Sequence, residues 1–134
     1  MPATVEPSTS EVVEPPLGEQ LLAMAAGLRE EVVVWALATE EQILSRDTVR
    51  KALVYTTSHG RPGLAWERLD SHFYELGLDE AARAFLDLVL STVGTMHRTS
   101  LVRVMDLDER RTAIILRAMI RLSGCDTLAV GTRT

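Results

Sequence analysis

A chain of 134 residues is one domain's worth and should bury roughly 65 to 70% of its unfolded surface around a single core. Apolar residues make up 46% and charged residues 25%, but aromatics only 4%, so the core must be aliphatic, and the Leu, Ala, Val and Ile that supply it suit helices better than alternating strands. The lone Cys125 excludes an intrachain disulfide, and the longest apolar run, Val32 to Ala38, is too short to span a bilayer, which together predict a cytoplasmic protein with no membrane partner.

Net charge is −5 but unevenly spread: residues 1 to 41 carry eight acids against Arg29 alone, whereas 98 to 134 carry seven arginines against four acids. An acidic arm and a mildly basic C-terminal region follow from that count. Residues 1 to 16 hold four of the five prolines between Ser, Thr and Glu, the composition of a disordered arm without a basic or apolar leader pattern.

From Leu17 the stripe Leu21, Met24, Leu28, Val32 and Trp35 predicts an amphipathic helix. Its run Val32, Val33, Val34 and Trp35 cannot all face one neighbour, so it must lie between helices or form a homodimer seam. Thr39 and Gln42 match a capping box for a second helix. Asp47 is expected to start or cap a further turn, with Val49, Leu53 and Val54 inward.

"SHGRPG" at 58 to 63 breaks the chain. Trp66, Leu69, Phe73 and Leu76 then predict a helix closed by Gly77, and Asp79 can cap the next. That next segment, "EAARAFLDLVLSTVG", is apolar on almost every side and belongs inside a bundle. Ser100 or Thr99 begins a short helix "LVRVM", and "DERRTAIILRAMIRLSG" predicts a long one ending at Gly124. "TLAV" at 127 to 130 is the one strand candidate, inside an extended tail over 125 to 134. The expected fold is therefore all-α, a compact bundle of five to seven helices over 17 to 124.

The residues for most chemistry are missing. His59, His72 and His97 have no metal-ligand spacing, and no nucleophile motif, P-loop or dinucleotide fingerprint occurs. The adjacent pairs Glu30–Glu31, Glu40–Glu41 and Asp79–Glu80 point about 100° apart on a helix, and two of the three complement helix dipoles. The chain is expected to be no enzyme and to use no metal or cofactor.

Two stretches resemble DNA-binding families. "SLVRVMDLDERRTAIILRAMIRLSG" (100 to 124) resembles the helix-turn-helix core of winged-helix regulators, and "LSRDTVRKAL" (44 to 53) is similar to the recognition-helix stretch of GntR-type repressors, with Ser45, Arg46, Thr48, Arg50 and Lys51 polar. The first resemblance implies that Leu101 and Val104 pack inside, that Leu107 plugs the turn, and that the second helix enters the major groove. Arg103, Arg110, Arg111, Thr112, Arg117 and Arg121 are then the candidate DNA-binding residues of a small, dimeric transcriptional regulator. Arg110, Arg117 and Arg121 share one helical face, and Ile115, Ala118, Met119 and Leu122 occupy the opposite one as core. The alternative is a non-catalytic helical protein–protein interaction module or homodimeric adaptor, whose arginines are a solvated face.

Overall fold

The computed structural model describes residues 16–60, 62–93 and 97–133. Among these, the chain runs α1 (Leu17–Met24), α2 (Leu28–Glu40), α3 (Asp47–Leu53), β1 (Val54–Thr56), β2 (Pro62–Leu64), α4 (Trp66–Ser71), a 3-10 turn (Phe73–Glu75), α5 (Glu80–Val93), a 3-10 helix (Leu101–Asp106) and α6 (Glu109–Ser123). It is the compact, mostly helical bundle that the aliphatic composition predicts. The acidic arm lies outside the described residues except for Pro16. No described helix is long and apolar enough to cross a membrane.

The first expected helix is two. Ala25 turns to extended backbone and Gly27 takes φ 88°, a left-handed value cheap only for glycine. The chain then restarts as α2, and the Glu30 carboxylate accepts from the free Ala26 N–H at 3.1 Å. α1 folds back so closely on α2 that a Cβ on Gly18 would stand 2.6 Å from that of Ala38.

α2 is the central element, packed against α1, α5 and α6. With helices on several sides, Val32, Val33 and Val34 of its valine run are all buried. Trp35 is half-buried, with the Arg121 guanidinium 4.0 Å from its ring centroid. Thr39 does not cap a new helix. It lies within α2, its hydroxyl donating to the Trp35 carbonyl at 2.7 Å, and the capping acceptor is the next residue, whose Oε1 accepts from Ile43 N–H at 2.8 Å. Glu41 ends α2 at φ 62°.

Val54 opens β1 rather than extending α3, and β1 and β2 pair as an antiparallel hairpin with Val54 opposite Leu64, Tyr55 opposite Gly63 and Thr56 opposite Pro62. Two three-residue strands are too short for alternation to register in sequence. Conversely, residues 127–130 form no strand. Arg68 of α4 holds the hairpin's root, donating to the carbonyls of Ala52 at 2.6 Å and Val54 at 2.9 Å. Asp79 caps α5 as expected, accepting from Ala82 N–H. Phe85 and Leu86 of α5, Leu69, Leu37 and Ile114 close the core from the remaining sides.

Candidate interaction surface

α6 is defined at both ends by local chemistry. Asp108 accepts from Arg111 N–H at its start, and Gly124 at φ 75° closes it as the sequence predicts. The arginines follow less simply. Arg111 is 7% exposed. Its guanidinium donates twice to Oε2 of Glu40, at 2.8 and 3.0 Å, and to Gln42 Oε1 at 2.9 Å, while Glu40 is fully buried. A charge sealed in the interior this way must be paired. Arg111 thus fastens α6 to the end of α2.

The other candidates are held as well, though they stay accessible. Arg110 donates to the carbonyls of Thr39 and Glu40 at 2.8 and 3.0 Å, adding to the Gln42 N–H that Glu40 already accepts and bringing a cation to the negative dipole end of α2. Arg117 reaches the Val130 carbonyl of the tail at 3.2 Å, and Arg121 covers Trp35. The Thr112 hydroxyl turns back to the Asp108 carbonyl. In the second stretch, Ser45 donates to the Gln42 carbonyl, Thr48 to the Leu76 carbonyl and Arg46 to the Gly77 carbonyl. Arg50 pairs with Asp47, and Lys51 is exposed.

Arg103 sits 23% exposed at the side chain on the 3-10 helix, amid acids: Glu80 and Asp106 at 2.7 Å and Asp87 at 3.1 Å. The hydrogen bond it donates to Glu80, then the one to Asp87, hold its guanidinium above the usual arginine value against the opposing effect of burial. Residues three apart eclipse on a 3-10 helix, so Arg103 and Asp106 form one row, drawn against α5. The apolar rows are thereby turned outward.

Leu101, expected in the core, is 67% exposed, and Met105 is 79% exposed; Val102 between them is also exposed. Val104 is half-buried, and Leu107 packs against the core as the turn requires. Beside this segment, α6 leaves Met119 about half exposed instead of buried, and Leu116 one turn earlier is exposed too. Between them lies a groove of about 180 Å³, floored by Val33, Val89 and Ala118 and rimmed by Leu101 and Met119. The sequence signal for this reversal is the i, i+3 spacing of Arg103 and Asp106, which marks the charged side only once the helix is known to be 3-10.

Among the described residues, no group of three or more metal-ligating side chains is placed to hold a metal ion. No protein-family model, curated protein or solved structure matches the chain.

Proposed function

We propose that the chain is a non-catalytic helical interaction module that self-associates through the face built by the 3-10 helix and α6. The reading is supported by the reversed amphipathicity of that helix: its charged row is consumed by α5, and Leu101, Val102 and Met105 face water beside an apolar groove. Contiguous exposed apolar groups of this kind mark interaction sites. A twofold interface needs projections and a receptive hollow on the same face, so that each protomer fills the other, and here the exposed side chains and the groove are neighbours. In a reducing cytoplasm the exposed Cys125 stays a thiol and adds no covalent link.

Sedimentation equilibrium across protein concentration tests this reading, with Leu101→Glu and Met105→Glu as variants. Both positions are exposed, so neither substitution should disturb folding by circular dichroism. A dimer at about micromolar concentration that both variants dissociate is the expected result. A wild-type chain that stays monomeric at the highest concentration reached overturns it. Retardation of a nonspecific duplex at low salt, with a salt slope made shallower by roughly one unit in Arg117→Ala, would put DNA in the partner's place.

A further inference from the structure

Residues 97–100 link α5 to the 3-10 helix without regular structure, yet His97 is among the most constrained side chains in the molecule. Its side chain is 10% exposed and stands between two helices, Nδ1 at 2.5 Å from Asp70 of α4 and Nε2 at 2.5 Å from Asp87 of α5. Phe73 of the 3-10 turn lies against the ring at 5.6 Å between centroids.

A neutral imidazole owns one N–H, so between two carboxylates one ring nitrogen would present a lone pair to an oxygen. Only the imidazolium donates to both. The remaining oxygen of Asp87 accepts from Thr99 Oγ1 at 2.9 Å and Arg103 Nε at 3.1 Å. Asp87 therefore collects three residues of the 97–103 segment, while Asp70 has no partner but His97 among the described residues.

We propose that His97 is a protonation-controlled latch that straps the 97–106 segment, and with it the outward-facing 3-10 helix, onto α4 and α5. The charged groups against the ring are Asp70 from α4 and Asp87 from α5, and Phe73 contributes an uncharged wall. Arg103 of the strapped helix reaches the same Asp87 and also pairs with Glu80 and Asp106, and Glu80 is shared with Arg83. Loss of the imidazolium proton leaves the ring one N–H for two carboxylates, so one of them then faces a lone pair; Asp87 keeps the Thr99 hydroxyl and Arg103 as donors, and Asp70 has no other partner among the described residues. The latch stands on these contacts whether or not the apolar face docks a second copy.

Burial disfavours the imidazolium, but the hydrogen bonds of Asp70 and Asp87 and their charges outweigh it, and the pKa of His97 is raised above 6.5. A raised folded-state value means that the latch contributes fully below 6.5 and is lost as pH rises through the raised value. The segment's tie to α4 is then weakened toward the alkaline side, with Thr99 and Arg103 still holding it on α5.

Imidazole nitrogen NMR combined with amide hydrogen exchange tests the latch in the full chain, held at a concentration where association is constant. Both ring nitrogens of His97 should be protonated at pH 6, and His97 should titrate above 6.5. Over the same range the Arg103 and Leu107 amides, which bond to Ser100 and Val104 carbonyls, should lose protection faster than chemical exchange alone requires. Asp70→Asn should shift the His97 titration downward while leaving the Asp87 contacts, and His97→Gln should abolish the pH-dependent loss. A single-N–H tautomer at pH 6, titration at or below 6.5, or protection that follows chemical exchange alone would each refute the latch. Should His97→Gln fail to fold, Asp70→Asn and the wild-type titration decide it.

Discussion

Replacing Arg111 by Met removes the cation from a carboxylate that has no access to water. Glu40 would keep the Ile43 N–H on Oε1 but lose both guanidinium donors from Oε2, and Arg110 cannot substitute because it bonds the backbone carbonyl of Glu40, not its carboxylate. Breaking a buried pair on one side costs about 3 to 5 kcal/mol, a large share of the roughly 5 to 15 kcal/mol that holds a domain of this size. Urea unfolding followed by circular dichroism should show a midpoint far below wild type. The double variant Glu40→Leu, Arg111→Met removes the stranded charge and should recover most of the loss, short of the about 1 to 3 kcal/mol for an Ile43 N–H left without its acceptor. Arg111→Lys keeps the charge but not the two-pronged geometry, and should fall between them. A loss below about 1 kcal/mol in Arg111→Met would mean that water reaches Glu40, and a double variant no better than the single would mean that the pair is not coupled.

Phe85→Ala, at a fully buried position of α5, should cost about 3 to 5 kcal/mol in the same assay; under about 1 kcal/mol would place α5 at the surface. Glu41→Gly should stabilise the fold by up to about 1 kcal/mol, since Glu41 holds φ 62° at the end of α2 with no glycine's freedom. An unchanged or lowered unfolding midpoint would show that the left-handed turn is relaxed in solution.

What could be read from the sequence is what local chemistry decides. Asp79, Ser100 and Gly124 act within a turn of where they stand, so the starts and stops they signal reappear at α5, the 3-10 helix and α6. The break at Gly27 was hidden because one glycine in a periodic stretch costs only about 1 kcal/mol, and the stripe runs through it. Arg111 was misplaced for a different reason. Its partner Glu40 lies 71 residues away, and no periodicity within α6 distinguishes an arginine bound to another helix from one facing water. Likewise His97 carries no local signal, because Asp70 and Asp87 reach it from two other helices.

The arginines of α6 fall on two of its three faces. Ile114, Ile115 and Ala118 form the buried face together with Arg111. Arg110, Arg117 and Arg121 do share a second face, as their spacing predicts, but that face is applied to the molecule itself: to the last carbonyls of α2, to the tail at Val130, and to Trp35. A phosphate contact there would have to compete with each of those partners. The third face carries Leu116 and Met119, and it continues through the groove to Leu101. A helix rich in arginine thus places its charge on α2 and the tail, and its remaining exposed side is aliphatic. Glutamate at Met119 should therefore weaken self-association, whereas Arg117→Ala should leave it unchanged; the opposite ranking would return the arginines to the interface.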